Sequence, residues 1–403
     1  MNYDLIIVGG GAAGFFTAIN VAERDSGLKI AILERGKEVL SKVRISGGGR
    51  CNVTHAEFIP NELSKNYPRG EKELKGPFHT FMTGDTMDWF DRRGVALKIE
   101  DDGRIFPVSD SSETIINCFL SEAKRLGIEI LKNHVVKNFY PNDAGWELQT
   151  NQGDFTGTKL MIATGSSPKI WKQLGDLGLR TVDAVPSLFT FNIKDSRIAN
   201  LPGVVANASV KVKDSRLSSE GPLLITHWGM SGPAILKLSA WGAIELNTNQ
   251  YKFEIIVNWL HQYSQQEIFE ELKELKAQSL KQQLYTYSQF ELPKRLWQSL
   301  VLASGIKNNT RWADVNKAQL HRLSEQLTQG VYSVKGKSTF KEEFVTAGGI
   351  DLKEVNFKTF ESKKHQHLYF AGEVLNIDAV TGGFNFQNAW TGAYIAAQAI
   401  TTG

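Results

Sequence analysis

The chain has 403 residues, more than one hydrophobic core normally serves, so two or three domains are expected. Its 46 lysines and arginines against 43 aspartates and glutamates leave a net charge of +3, too small to argue for nucleic acid or an anionic membrane as partner. The two cysteines, Cys51 and Cys118, lie far apart, which excludes a C-x-x-C redox pair, zinc-ligand spacing and a disulfide framework. No apolar run approaches the ~20 residues of a membrane span. The N-terminus enters an apolar strand at once, leaving no room for a signal peptide, and a cytoplasmic protein is expected.

Tyr3 to Val8 is an apolar run of strand character. Gly9-Gly10-Gly11-Ala12-Ala13-Gly14 follows in the spacing G-x-G-x-x-G, then a helical pattern from Ala12 to Glu23 with Phe16, Ile19 and Ala22 on one face. A second run, Leu28 to Leu33, ends at Glu34, 20 residues beyond Gly14. Gly9 permits the tight turn, Gly11 lets a pyrophosphate approach the backbone, and Gly14 lets helix and sheet pack closely. The helix N-terminus offers unpaired N–H groups and partial positive charge to phosphate. Glu34 suits a ribose diol and repels a 2′-phosphate, whereas Arg35 beside it keeps NADP open as an alternative.

The next informative stretch is Lys42-Val43-Arg44-Ile45-Ser46-Gly47-Gly48-Gly49-Arg50-Cys51-Asn52. Three consecutive glycines allow close backbone approach, and Arg44 and Arg50 offer planar donors for phosphate or an anionic ring. Cys51 and Asn52 either face a bound cofactor or finish the turn. Residues 61–110 read as irregular, with helical character at Gly84–Arg93 and a hairpin at Leu97–Pro107. Ser111–Leu126 is an amphipathic helix, with Cys118 a small core residue. Four strand-like runs follow: Gly127–Leu131, Val135–Tyr140, Trp146–Thr150 and Lys159–Ala163. The last ends in Ala163-Thr164-Gly165, a small-residue turn of the kind that passes under a bound nucleotide in FAD domains. Val136 is a candidate for packing near the adenine, with a plain core role as the alternative.

Beyond Pro186, short β-type runs at Phe189–Ile193, Ala208–Val212 and Phe253–Val257 predict a small β domain. Thr226-His227-Trp228-Gly229-Met230-Ser231-Gly232-Pro233 opens a helix at Ala234–Trp241; its small residues and His227 either approach a ligand or form a packed turn. His261–Leu327 reads as helical throughout, with Pro293 in the first turn of one helix and another at Ala318–Leu327. Strand character returns at Tyr332–Val334 and Glu343–Thr346. Near the C-terminus the strand Leu368–Ala371 ends in Gly372-Glu373, a carboxylate placed to hold a ribitol hydroxyl. Thr381-Gly382-Gly383-Phe384-Asn385 then opens a helix to about Ile400, and its glycines can aim N–H groups at a flavin or a phosphate. Asp378 lies between and is within reach of either.

Taken together, Gly9–Gly14, R-x-S-G-G-G-R-C-N at Arg44–Asn52, T-H-x-G-x-S-G-P at Thr226–Pro233, and A-G-E at Ala371–Glu373 followed by T-G-G-F-N at Thr381–Asn385 resemble the BaiN/YhiN-type family of bacterial flavoproteins, over essentially the whole chain. The resemblance implies an α/β fold: a Rossmann-like FAD domain of the glutathione-reductase type, interrupted by an inserted β-barrel and a helical subdomain. The expected partition is 1–188 and 346–403 for the FAD domain, 189–260 and 331–345 for the barrel, and 261–330 for the helical insert. It also implies that Gly9, Gly11, Ala12, Ala13 and Gly14 line the pyrophosphate and Glu34 the adenosine ribose. Arg44, Ser46, Gly48, Gly49, Arg50, Cys51 and Asn52 would run along the cofactor, Glu373 would take the ribitol, and Gly383, Phe384 and Asn385 would meet the isoalloxazine. Asn376 stands where family members often carry Asp. The bile-acid member of the family reduces conjugated double bonds of a 3-oxo-steroid.

The expected function is therefore an FAD-dependent oxidoreductase reducing an activated C=C bond of a small apolar substrate, with NAD(P)H as transient hydride source. No second G-x-G-x-x-G in strand context provides a nicotinamide domain. His55, His227, Cys51 and Asp378 are the candidate proton donors. The alternatives are an RNA-modifying flavoenzyme, which scattered basic residues disfavour, and a non-catalytic flavin-binding protein. No metal and no nucleic-acid partner are expected.

Overall fold

The run Asn2–Val8 becomes a central strand because its alternate side chains meet apolar cover on both faces; Leu5, Ile6 and Ile7 are completely buried. The structure, a computed structural model, describes residues 1–339 and 345–402. The chain divides into two compact units, Met1–Val185 with Val345–Gly403, and Pro186–Phe344.

In the first unit, five parallel strands stand in the order Leu368–Phe370, Gly153–Ile162, Asn2–Val8, Ile30–Leu33, Glu129–Leu131. Ile7 lies between Ile32 and Met161. Two short antiparallel strands, Val355–Asn356 and Glu361–Ser362, extend one edge, and the meander Val136–Asn142, Gly145–Thr150 leads into Gly153–Ile162. The helix Ala12–Arg24 is buried from Ala13 to Ala22 and packs on the C-terminal helix Phe384–Thr402. Gly14 is obligatory there: a Cβ would sit 2.1 Å from the Gly9 carbonyl oxygen.

The stretch 61–110 is more regular than expected. It holds helices Pro60–Ser64 and Glu71–Phe78 as well as Thr83–Asp91 and the hairpin Leu97–Ile99, Arg104–Pro107. The two extra helices are short, and Pro77 and Gly76 sit inside one of them, which removes the periodic signal.

The second unit is a closed six-stranded barrel. Its strands, in order around it, are Thr190–Ile193, Gly229–Ser231, Ser218–Ile225, Val205–Val212, Lys252–Asn258 and Gly330–Ser338. The strand Ser218–Ile225 is masked in the sequence by Ser-Ser-Glu-Gly-Pro, which reads as a turn, yet it pairs with Val205–Lys211 along its length. The segment 261–327 is not helical throughout. Helices Gln265–Gln278, Lys294–Ala303 and Lys317–Thr328 are separated by turns and, before the last of them, a short 3-10 helix at Trp312–Asp314. Between the first two, the backbone is satisfied laterally: Trp312 N–H donates to the Gln282 carbonyl at 2.9 Å and Leu284 N–H to the Thr310 carbonyl at 3.2 Å. One continuous core runs from Phe191 and Ile255 in the barrel to Leu272, Trp297 and Leu323 in the helices. Of the strand expected at Glu343–Thr346, Glu343 and Phe344 lie outside the described residues, and Val345–Ile350 forms a strand paired with Thr181–Ser187. No helix among the described residues is long and apolar enough to cross a membrane.

Candidate functional site

The glycine turn after the first strand is open on one side. Gly9 has φ +113°, and a Cβ there would lie 2.4 Å from the Ala163 carbonyl oxygen, so the Ala163-Thr164-Gly165 turn closes against it. At Gly11, the N-cap of the helix, a Cβ would meet nothing within 4 Å, and no side chain caps the helix. The first intrahelical bond runs from Phe15 N–H to the Gly11 carbonyl at 3.1 Å, so the amides of Ala12, Ala13 and Gly14 precede the helical ladder. Glu34 is fixed beside them. Its Oε2 accepts from Gly10 N–H at 2.9 Å and its Oε1 from Gly36 N–H at 2.7 Å, leaving each oxygen a further lone pair. His134 N–H donates to the Glu34 carbonyl at 2.8 Å, which brings the strand of buried Val136 to the same end of the sheet. Arg35 is exposed.

On the other side of this cradle, a Cβ at Gly372 would lie 3.4 Å from Ala13 Cβ, and one at Gly165 would lie 3.5 Å from Glu373 Oε2. Glu373 is mostly buried and pairs with Lys42 at 2.5 Å. Lys42 lies in the first turn of the helix-like Ser41–Gly49, which breaks at Ser46 (ψ 149°). Gly47, Gly48 and Gly49 then have φ of +57°, +68° and +85°, and at Gly48 and Gly49 a Cβ would meet only open space. Arg44 and Arg50 flank this turn but are engaged by carboxylates: Arg44 by Glu113, Arg50 by Glu100 at 2.6 Å and Asp110 at 3.4 Å, with its guanidinium 3.9 Å from the Phe106 ring centroid. Cys51 is completely buried, and burial pushes its thiol up to about 12. Asn52 Oδ1 is buried without a hydrogen-bond partner among the described residues, 2.8 Å from where a Cβ on Gly383 would stand.

Gly382 (φ +128°) and Gly383 (φ +95°) lead into the helix at Phe384. Asn385 closes the preceding loop on itself, accepting from Ala379 N–H at 3.0 Å and donating to the Ala379 carbonyl at 3.3 Å. His55 Nδ1 is 3.1 Å from the Gly382 carbonyl oxygen. A carbonyl only accepts, so Nδ1 carries a hydrogen in this contact. The His55 ring stacks on Phe384 at 4.5 Å. Asp378 is fully buried and bound to Arg69. Asn376 Oδ1 accepts from Gly348 N–H at 3.0 Å, a duty an aspartate would also perform. His227 is exposed in the turn between two barrel strands.

The structure thus brings together Gly9, Gly11, Ala13, Glu34, Ala163, Gly165, Gly372 and Glu373 as one cradle, and Asn52, His55 and Gly383 as a second group. Sequence reasoning did not single out Gly10, Lys42 or Arg69. Lys42 stands two residues ahead of Arg44, but nothing in the chain marks Arg69, whose partner is 309 residues away. The open Gly11 edge, the unladdered amides, the fixed Glu34 carboxylate and the unpartnered Asn52 oxygen fit an FAD.

Strand order and cradle define a flavoprotein with the Rossmann-like FAD domain of FAD-dependent oxidoreductases. The chain belongs to the HI0933-like protein Rossmann domain family, which matches residues 3–399. It is 28% identical over 410 residues to the ribosomal RNA dihydrouridine synthase of Haemophilus influenzae, covering 98% of each chain. It is 26% identical over 409 residues to the 3-dehydro-bile acid delta(4,6)-reductase of Clostridium scindens, again covering 98% of each. The 3-ketosteroid-delta4-(5alpha)-dehydrogenase of Rhodococcus jostii RHA1, 12% identical, shares the fold with a TM-score of 0.54 over 100% of this chain and 97% of that one.

Proposed function

We propose that this protein is an FAD-dependent reductase that saturates a C=C bond conjugated to a carbonyl, with NAD(P)H as reductant, and that its substrate is a uracil base in ribosomal RNA. The observation that carries the reading is the end-to-end similarity to two relatives whose named reactions both add hydrogen across such a bond, one in uridine and one in a 3-oxo-steroid. Charge favours the RNA substrate of the two. The net +3 is unevenly shared: residues 186–344 carry 19 lysines and arginines against 14 acids, whereas the rest carries 27 against 29. The second reading is a small conjugated ketone, as in the bile-acid reductase.

When bound, FAD supplies the hydride. The amides of Ala12, Ala13 and Gly14 would hold the pyrophosphate, Glu34 the ribose and Glu373 the ribitol, with Lys42 exchanging its ion pair for a cofactor oxygen. The turn Gly47–Gly49, Asn52 and the Gly382–Gly383 backbone would hold the ring end. We assign proton delivery to His55 Nε2, because Nδ1–H is committed to Gly382 and Phe384 fixes the ring plane. Residues 1–188 and 346–403 are assigned to the cofactor domain, 189–260 and 331–345 to the barrel, and 261–330 to a helical insert.

The test is nucleoside analysis of ribosomal RNA from a strain lacking the protein, with add-back. Loss of dihydrouridine and its return on add-back is the expected result. Unchanged dihydrouridine, together with turnover of a 3-oxo-4-ene steroid by the purified protein and NAD(P)H, would replace this reading with the second.

A further inference from the structure

Three neighbouring barrel strands, Val205–Val212, Lys252–Asn258 and Gly330–Ser338, turn their apolar residues inward. Val210, Val212, Ile255, Val257, Tyr332 and Val334 are buried. The alternate positions face outward and include lysines among neutral residues such as Ser209, Ile256 and Ser333. Lys211, Lys252 and Lys335 are exposed, and so is Lys213 just past the first strand. Lys252 and Lys335 are direct cross-strand partners. Like charges placed opposite each other destabilise a sheet, so this pairing costs the fold something that an aspartate or glutamate at either position would have avoided. A bulge beyond Val334 turns Lys337 to the side of its cross-strand partner Phe191, away from Lys335, and its ammonium lies 5.1 Å from the centroid of the Tyr251 ring. The acid within this face is Glu254, which pairs with Lys213 at 2.7 Å. Among the described residues Lys211, Lys252, Lys335 and Lys337 have no carboxylate partner.

We propose that this face of the barrel, centred on the Lys252–Lys335 pair, binds the phosphate backbone of RNA, an inference that rests on the RNA reading of the substrate. Strands lie about 4.8 Å apart and alternate residues about 6.6 Å apart along a strand, so the lysines form a two-dimensional array that meets several phosphates at once. A polyanion relieves the repulsion between Lys252 and Lys335, which gives the pair a reason to be opposed. Phosphate binding carries no sequence information, so this face supplies affinity without selecting the base.

The experiment uses the full FAD-loaded chain and a short fluorescent single-stranded RNA, with anisotropy read across a salt series. The expected result is salt-sensitive binding by the wild type. Lys252→Gln/Lys335→Gln should weaken it about tenfold and reduce the slope of log K against log salt by about 1.4, at ~0.7 for each of the two phosphates left without a lysine. Lys252→Arg/Lys335→Arg should retain both. FAD absorbance and circular dichroism of each variant report whether it is folded. A folded Gln variant with wild-type affinity and slope would overturn the proposal, as would a wild type that binds no RNA. Loss of binding to anionic vesicles in the Gln variant, with RNA binding unchanged, would assign the face to lipid instead. If RNA binding falls as expected but ribosomal dihydrouridine does not depend on the protein, the surface stands and the uracil-reductase reading fails.

Discussion

Asp378, fully buried in the loop before the C-terminal helix, is gripped by Arg69 through two charge-assisted hydrogen bonds, and the two residues also form an isolated β-bridge. Around this pair the loop is pressed onto the segment 66–70. Val380 N–H donates to the Asn66 carbonyl at 3.0 Å, and a Cβ at Gly70 would lie 2.8 Å from Ile377 Cγ1. The pair therefore sets the position of Gly382 and Gly383. Removing one partner strands the other charge, so Asp378→Ala should cost about 3–5 kcal/mol in urea unfolding. Replacing both, Arg69→Met with Asp378→Leu, should restore most of that loss. An Asp378→Ala protein with an unchanged unfolding midpoint would show that the clamp contributes no stability.

Two glycines of one motif should behave oppositely. Gly14→Ala forces a Cβ to 2.1 Å from the Gly9 carbonyl oxygen, so the variant should lose folded yield with or without FAD. Gly11 has φ −98° and open space where a Cβ would go, so Gly11→Val leaves the apoprotein intact and obstructs only the cofactor. The expected outcome for Gly11→Val is wild-type thermal stability of the apoprotein and at least a tenfold weaker FAD affinity by fluorescence titration. Equal FAD affinity would move the pyrophosphate away from this turn.

His55 should affect one half of the catalytic cycle. NAD(P)H should bleach the flavin of His55→Gln at the wild-type rate. Reoxidation by the substrate should slow about 10²–10⁴-fold, the usual worth of a positioned acid. Anaerobic stopped-flow of the two half-reactions separates these outcomes. Equal slowing of both would make His55 a support for the Gly382 turn instead of the proton source.

The cofactor domain was legible because its signals are local. Strand, glycine turn, helix and acid all fall within Tyr3–Glu34; Gly14 answers to Gly9 nearby and Gly11 to open space, although Gly9 answers to the remote Ala163. What escaped depends on partners remote in the chain. Lys42 meets Glu373 and Arg69 meets Asp378 across more than 300 residues, and no spacing rule connects them. Arg44 and Arg50 read as ligand donors because their carboxylate partners, Glu113, Glu100 and Asp110, lie outside the motif. The barrel's charge was averaged away in the +3 total. Its meaning appears once the strand register sets Lys252 against Lys335, a pairing that pattern reading does not provide. Asn376 shows the converse: a departure from the family's common Asp retains the acceptor oxygen that Gly348 N–H requires.

Stability should fall on the alkaline side. Burial pushes Cys51, Tyr332 and Tyr369 up to about 12, and burial together with a 2.6 Å hydrogen bond to Glu129 does the same for Tyr3. In the unfolded chain these groups ionise near ~8.5 for the thiol and ~10 for the phenols. Between those values and 12 the unfolded state has released protons that the folded state still holds, so it binds fewer, and the free energy of unfolding decreases with pH. The contribution is complete below about pH 8.5 and is lost progressively toward pH 12. The urea midpoint should therefore be level from about pH 7 to 8 and decline beyond about pH 9. Over the same range tyrosinate absorbance in the native protein should lag behind that of the ten tyrosines after unfolding. Cys51 should resist thiol reagents at neutral pH until the protein unfolds, because its thiol is both inaccessible and protonated. Prompt native labelling of Cys51 would contradict its burial and return it to the group of residues that meet the cofactor.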